Sequence, residues 1–135
     1  MSIPRDFNDQ FKEQADRFSV LLRLAQDEAI LQSREYALGF TESGYAFFQL
    51  ENNNWLAKTD GPFKARALPA NLSAELYLEG VPVVLDDKIK PQVFIYSSGE
   101  VTPFSYHLIF PGKGKRIKLD VNPIGEVKQE FIDNE

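Results

Sequence analysis

The sequence predicts an α+β fold, in which one long N-terminal α-helix packs on antiparallel β-sheets that form a β-sandwich-like head. The first 34 residues contain no glycine and only one proline, Pro4, and their apolar residues recur every three or four positions. After Tyr36 the chain consists of short aromatic and β-branched runs separated by turn residues. A length of 135 residues suits a single domain, with the helix in residues 1–35 and the head in residues 36–135.

The helical segment carries an apolar stripe that changes in width. About 30 residues make a rod of about 45 Å, longer than a compact domain of this size requires, so we expect part of it to project. Before Phe18 the stripe is narrow, which suits one neighbouring helix, and after Phe18 it is broad, which suits a globular core. The stripe runs through Phe7, Phe11, Ala15, Phe18, Leu22, Ala25 and Ala29, and its broad part adds Val20, Leu21, Leu24, Ile30 and Leu31.

The first part of the head is predicted to be a meander of three strands between Tyr36 and Lys58. The strands are YALGF, YAFFQL and WLAK, and the turn sequences TESG and ENNN separate them. Lys58 to Ala70 contains Gly61, Pro62 and Pro69 and is predicted to be a connecting loop. AELYLEG alternates apolar and polar residues, as a half-exposed strand does.

A hairpin is predicted next. The runs QVFIY (Gln92–Tyr96) and FSYHLIF (Phe104–Phe110) have the composition of strands. Ser97–Glu100 between them makes a short loop, in which Gly99 supplies the positive φ of a tight reversal. Pro103 has no N–H to donate and should lie at an edge position or a bulge.

The C-terminal part is predicted to contain two further strands. RIKLDV follows the turn PGKGK, and the turn NPIGE leads to a last short strand near Val127. The tail KQEFIDNE is acidic, and we expect it to be frayed and solvated.

Composition excludes several classes of protein. A net charge of −5 argues against a nucleic acid partner, since nucleic-acid binders concentrate positive charge. The chain has no cysteine, which removes disulfides, thiolate metal sites and cysteine nucleophiles. It contains no run of about 18 apolar residues and no recognisable signal peptide.

No catalytic or cofactor site is indicated. His107 is the only histidine, which excludes a multi-histidine metal site and a triad, and we expect it to be structural. Asp86 and Asp87 are the best candidate pair for a hard cation, but the spacing of a calcium loop is missing, so a solvated turn is favoured. The expectation is a protein without enzymatic activity and without a cofactor.

One aromatic cluster leaves an alternative open. Tyr45, Phe48 and Trp55, with Phe47 between them, could line a carbohydrate platform, although core packing is the commoner use of such residues. A free-standing β-sandwich module that binds a sugar or small ligand is therefore a second hypothesis.

Two segments resemble a known family. RLAQDEAILQSREYALGFTESGYAFFQLENNNW, followed by PQVFIYSSGEVTPFSYHLIF, resembles the H-type minor pseudopilin of type II secretion, general secretion pathway protein H. The resemblance covers about Leu21 to Phe110, and Arg116–Glu135 and the loop Lys58–Ala70 match nothing in it. The residues that carry it are Ala25, Glu28, Ala29, Gly39, Gly44, Tyr45, Phe47 and the run Ser98–Phe104.

The resemblance implies a pilin-like fold and a building block at or near the tip of the periplasmic pseudopilus. The implied partners are other minor and major pseudopilins, with exported substrate or the outer-membrane secretin as further candidates. Family members begin with a prepilin leader and a hydrophobic helix that this sequence lacks. The expectation is therefore a periplasmic head, anchored in the inner membrane by a missing N-terminal helix, and Met1 is either a native start or one added to a truncated chain.

Partner contacts are expected at two places. On the helix we expect Phe7, Phe11 and Phe18 to contact other subunits, with intramolecular packing as the alternative, above all for Phe18. In the hairpin the candidate residues are Gly99, Glu100, Pro103 and Phe104. A minor pilin of a type IV pilus would share the fold and remains a further alternative.

Overall fold

The structure is a computed structural model that describes residues 7–133. One α-helix, α1 (Phe7–Gln32), precedes the strands, as predicted. The strands are β1 (Tyr36–Thr41), β2 (Gly44–Glu51), β3 (Asn54–Ala57), β4 (Arg66–Ala67), β5 (Ser73–Leu78), β6 (Val81–Val83), β7 (Pro91–Ile95), β8 (Phe104–Phe110), β9 (Lys115–Val121) and β10 (Val127–Asp133). A 3-10 turn, Gly61–Phe63, interrupts the loop before β4.

Helix α1 buries the stripe that its spacing predicts. Phe11, Ala15, Phe18, Leu22, Ala25 and Ala29 are all at most 1% exposed. The helix ends at Gln32 because Ser33 adopts a positive φ of 52°, and the Arg34 N–H donates to the Ala29 carbonyl.

The strands form two antiparallel sheets. In the first sheet the order is β3-β2-β1-β7, with β4 paired to β2, and the predicted meander is therefore confirmed. In the second sheet the order is β10-β9-β8-β5-β6. Strands β8 and β9 alternate buried and half-buried residues, so one face of this sheet points to the core and the other to solvent.

The core lies where α1 meets the inner faces of both sheets. Phe18 is at its centre: its ring centroid lies 4.9 Å from that of Tyr106 on β8, 5.2 Å from that of Tyr45 on β2 and 6.1 Å from that of Phe40 on β1. One helical side chain thus contacts both sheets, and such aromatic contacts add to the stabilisation from burial.

Two glycines of the family resemblance lie where backbones approach closely. A Cβ on Gly39 would lie 2.3 Å from the Lys90 carbonyl oxygen, and a Cβ on Gly44 would lie 2.3 Å from that of Arg66. Both positions therefore exclude any side chain, because the clashing atoms belong to the backbone.

The prediction that QVFIY and FSYHLIF pair with each other in a hairpin is wrong. Strand β7 pairs with β1 in the first sheet, whereas β8 pairs with β5 and β9 in the second. Only the tip is a hairpin, since Thr102 N–H donates to Phe94 O and a single bridge joins Ile95 to Val101. Pro103 then lies outside the ladder, and the chain crosses to the other sheet.

Two expectations for α1 need correction. The described part of the helix does not project before Phe18, because Phe11 packs on Phe110 at a centroid distance of 4.7 Å and on Phe131 at 6.4 Å. The broad part of the stripe is not all buried either: Leu21 is, but Val20, Leu24, Ile30 and Leu31 are exposed. Within residues 7–133 no helix has the length and hydropathy needed to span a bilayer.

The C-terminal tail forms a strand up to Asp133, so the expectation of a frayed end is wrong for the described residues. All seven residues of β10 pair in register with β9, from Val127 opposite Val121 to Asp133 opposite Lys115. Its inner face reaches α1, where Gln129 hydrogen-bonds Asp16 and Lys12. Acidic composition alone did not prevent strand formation, because the pairing with β9 supplies the backbone hydrogen bonds.

Candidate partner-binding surface

The solvent side of α1 carries an apolar ridge, which we call the outer ridge: Val20, Leu24 and Leu31. These side chains are 58%, 40% and 79% exposed. Their spacing of four and seven residues places them on one line of the helix, on the side opposite Phe18, Leu22 and Ala29. The helix thus has two apolar faces, of which only one packs on its own head.

A groove of about 680 Å³ lies beside this ridge, and we call it the side groove. One wall is the C-terminal half of α1, and the other walls are the turns at 97–100 and 122–126. Its lining residues are Arg23, Gln26, Asp27, Ile30, Ser98, Gly99, Glu100, Pro123, Ile124 and Glu126.

Gln26 joins the helix to both turns. Its side chain is buried, and its Nε2 donates to the Gly99 carbonyl at 2.9 Å and to the Ile124 carbonyl at 3.0 Å. A further bond, from Val101 N–H to the Pro123 carbonyl, links the two turns directly. The floor of the side groove is therefore held by hydrogen bonds to backbone, which fixes its shape without a partner.

The turn at 97–100 has the geometry that its sequence predicts. Gly99 has a φ of 90°, its N–H donates to the Tyr96 carbonyl, and the Glu100 carbonyl accepts from Tyr96 N–H. Ser97 N–H donates to a carboxylate oxygen of Glu35, just after α1, which ties the turn to the helix end. The Glu100 side chain is exposed at the rim of the side groove.

The structure buries some of the expected contact residues and exposes others. Phe11 and Phe18 are at most 1% exposed and Phe104 is 4% exposed, so the core occupies their side chains and their choice as a contact surface is corrected. Gly99 and Glu100 line the side groove, whereas Pro103 is exposed but is not among the residues that line it. Phe7 begins α1, but its side chain lies outside the described residues.

His107 belongs to a polar network on the solvent face of the second sheet. The Arg116 guanidinium lies 2.8 Å from Nδ1 of His107 and 3.0 Å from a Glu75 carboxylate oxygen, which also accepts from the Tyr77 hydroxyl. A guanidinium can only donate, so Nδ1 accepts and His107 is neutral. Partial burial and the Arg116 charge lower the pKa of His107, and its role here is structural.

Partial burial also acts on Glu75, in the direction of a higher pKa. The hydrogen bonds from Tyr77 and Arg116 and the Arg116 charge outweigh it, so the pKa of Glu75 is lowered. The carboxylate therefore stays charged and holds the network together over the neutral range.

The candidate cation pair, Asp86 and Asp87, lies between β6 and β7. Asp86 accepts a hydrogen bond from Lys88 N–H and lies 3.7 Å from the Lys90 amine, as in a solvated turn. Among residues 7–133 no three His, Asp or Glu side chains gather around a common point.

The carbohydrate platform is also not formed. Tyr45 points into the main core, whereas Phe48 lies on the other face of β2 in a small cluster with Ala37 and Ala46, against which Trp55 packs. Tyr45 and Phe48 lie on opposite faces of β2, because successive side chains of a strand point to opposite sides, and the three rings therefore do not form one common surface.

No sequence pattern identifies Gln26 or Ile124, the residues that complete the side groove. In the sequence Gln26 is the first of three consecutive polar residues between Ala25 and Ala29. Ile124 was visible only as an apolar residue within a turn, where one exposed isoleucine is ordinary. The two meet only because β9 and β10 place the 122–126 turn against α1.

Comparison with protein families gives a match over most of the chain. The family model for Type II transport protein GspH matches residues 14–125. Type II secretion system protein H of Pseudomonas aeruginosa is 28% identical over 123 residues, which cover 82% of this chain and 70% of that protein. The family is one of structural subunits of the secretion system and is not a known enzyme family.

Solved structures share the fold. The minor pseudopilin EpsH from the type 2 secretion system of Vibrio cholerae has a TM-score of 0.75 and 23% identity, and the match covers 92% of this chain and 96% of that one. The solution structure of GspH from Escherichia coli has a TM-score of 0.76 and 24% identity, with 97% and 96% covered.

A subunit of another machine shares it as well. The type IV minor pilin FimU of Pseudomonas aeruginosa has a TM-score of 0.63 and 16% identity, with 91% of this chain and 90% of that one covered. The pilin-like fold is thus common to both machines, and the family match separates them. The chain belongs to the GspH family of type II secretion minor pseudopilins.

Proposed function

We propose that this chain is the periplasmic head of a minor pseudopilin that assembles at or near the tip of the type II secretion pseudopilus. There it supports the export of folded proteins across the outer membrane. Residues 1–135 act as one domain, and in the full-length protein a hydrophobic helix ahead of α1 anchors it in the inner membrane. Family membership supports this role, which requires no catalysis.

The observation that carries the proposal is the outer ridge. Val20, Leu24 and Leu31 form an apolar line on a helix whose opposite face is already buried. A narrow apolar line of this spacing suits packing against one further helix. Other minor and major pseudopilins are therefore the proposed partners, and exported substrate or the secretin would meet the remaining surface.

The test replaces the apolar ridge with charge. Leu24→Lys and Leu31→Lys are combined in the full-length protein, expressed in its own bacterium after deletion of the chromosomal gene. Lysine has about the helix propensity of leucine, so α1 itself should be unaffected. We expect secretion of a folded exoprotein to fall below about a tenth of the wild-type level, since two buried leucines at an interface are worth several kcal/mol.

The control carries the same change elsewhere on the surface. Leu56 on β3 is 48% exposed and Val84 is 89% exposed, both outside the ridge, and Leu56→Lys with Val84→Lys should leave secretion intact. Thermal unfolding of the purified heads checks that both double variants are folded. Normal secretion with the ridge variant would refute the assembly role of the outer ridge.

A further inference from the structure

The side groove combines apolar and acidic groups. Ile30 and Ile124, 51% and 69% exposed, place apolar side chains on opposite walls, and Pro123 lies beside Ile124. Three carboxylates, of Asp27, Glu100 and Glu126, surround them, against one guanidinium. The groove therefore offers both apolar contact and a negative potential.

Among residues 7–133, most of that negative charge has no cationic partner. Arg23 lies 3.6 Å from Asp27, an exposed pair that neutralises one carboxylate at most. Glu126 accepts a hydrogen bond from the Asn122 amide, which is neutral, and within residues 7–133 neither Glu126 nor Glu100 forms an ion pair. Two carboxylates thus face the groove without a cation.

The groove is also rigid before any partner binds. Asn122 closes the 122–126 turn by accepting from the N–H groups of Ile124 and Glu126 with its side chain, at 3.1 and 2.9 Å. Gln26 fixes the same turn and the 97–100 turn to α1. A pre-formed site loses little entropy on binding, which favours recognition of a defined segment.

We propose that the side groove binds a segment of a sibling pseudopilin in which a lysine or arginine adjoins an apolar side chain. The apolar side chain packs between Ile30 and Ile124, and the cation lies between Glu100 and Glu126. This inference rests on the proposed function, but it concerns a surface distinct from the outer ridge. It assigns Glu100 the role of a charged contact and Gly99 the role of shaping the turn.

The test measures binding of this head to the purified heads of the other pseudopilins of the same bacterium, by isothermal titration calorimetry. For the sibling that binds, we expect Glu100→Gln and Glu126→Gln each to weaken affinity about two- to fivefold, as exposed ion pairs do. Raising the salt concentration should weaken the wild-type complex more than that of the double variant. Ile124→Ser should weaken binding by a similar factor, without a change in salt dependence.

Matched controls lie on other surfaces. Glu130→Gln on β10 removes an exposed carboxylate, and Val81→Ser on β6 removes a side chain that is 63% exposed, and neither should change affinity. The backbone amide signals of Gly99 and Gly125 in a ¹⁵N spectrum should shift when the sibling head binds. If all groove variants bind with unchanged affinity while substitutions in the outer ridge still weaken the complex, this inference is overturned and the proposed function stands. If no sibling head binds the wild-type chain, the proposed function fails as well.

Discussion

At the scale of single residues, Gln26 shows how one buried polar group can organise a surface. One amide nitrogen satisfies two backbone carbonyls from turns that are 25 residues apart in the chain, Gly99 and Ile124. Leaving a buried polar group such as the Gln26 amide unpaired costs about 1–3 kcal/mol, so the bonds hold both turns on the helix. Gly125 makes room for this amide, because a Cβ there would lie 2.3 Å from Gln26 Nε2.

Two glycines with nearly equal φ allow a direct measurement of that contact. Gly125 has a φ of 83°, and Gly112, with a φ of 79°, has no atom within 4 Å of an added Cβ. We expect Gly112→Ala to cost about 1 kcal/mol from backbone strain alone. Gly125→Ala should cost about 2 kcal/mol more, since it displaces the Gln26 amide from two carbonyls.

Urea unfolding monitored by circular dichroism gives both free energies. Both variants replace a glycine of positive φ, so the backbone strain cancels when their losses of stability are compared. Equal losses of stability in the two variants would show that Gln26 does not bind the turns as described.

At the scale of elements, α1 differs from its sequence-based interpretation in what its faces contact. Its N-terminal half packs on β8 and β10 through Phe11, and its C-terminal half leaves Val20, Leu24 and Leu31 in solvent. The width of the apolar stripe therefore did not predict which of its side chains are buried. The sheets decide which part of the stripe is covered, and β10 covers the narrow part.

Truncation of Phe11 tests the docking of the N-terminal half. We expect Phe11→Ala to destabilise the head by about 3–5 kcal/mol, as core phenylalanines do, because the helix loses its contact with Phe110. Leu31→Ala, on the exposed face of the same helix, should change stability by less than about 0.5 kcal/mol. Chemical denaturation at one pH measures both variants. A Phe11→Ala variant as stable as wild type would mean that this half projects freely after all.

At the scale of the whole molecule, the helix and both sheets share a core that contains three tyrosines, Tyr36, Tyr45 and Tyr106. Tyr45 and Tyr106 have buried hydroxyl groups that lack a hydrogen-bond partner among the described residues. Burial raises the pKa of Tyr45 to about 12, and burial together with the neighbouring Tyr45 raises that of Tyr106 well above its ordinary value. Ionisation of either ring would require the core to open, so the two hydroxyls report on the integrity of the fold.

Alkaline pH should therefore destabilise the head. An unfolded tyrosine loses its proton near pH 10 while the folded one keeps it, so stability is complete below pH 10 and falls as pH rises towards 12. We expect each of the two tyrosines to lower the free energy of unfolding by about 1 kcal/mol at pH 11 relative to pH 9. Urea unfolding at the two pH values measures the loss of stability.

A double variant provides the control for this measurement. Tyr45→Phe with Tyr106→Phe removes the titrating groups and two unpaired hydroxyls, so it should be about as stable as wild type at pH 7. The free energy of unfolding that this variant loses between pH 9 and pH 11 should be smaller than the wild-type loss by about 2–3 kcal/mol. An identical pH dependence in wild type and double variant would contradict the burial of these phenols.

Local features were predictable from the sequence because local forces set them. The helix, the Tyr36–Lys58 meander, the β5, β8 and β9 strands and the positive φ of Gly99 follow from side-chain spacing and from which residues tolerate a tight turn. The family, too, was recognisable from short motifs. Of the candidate site, the sequence supplied Gly99 and Glu100.

Tertiary structure alone decided the rest, because it depends on partners distant in sequence. β7 and β8 have compositions that suit either sheet, and only packing assigned them to different ones. The position of the sheets also determined that Phe11 is buried and that Leu31 is exposed on one amphipathic helix. The side groove arises in the same way, since β9 and β10 carry the 122–126 turn to Gln26, and no periodicity encodes a contact between residues 98 positions apart.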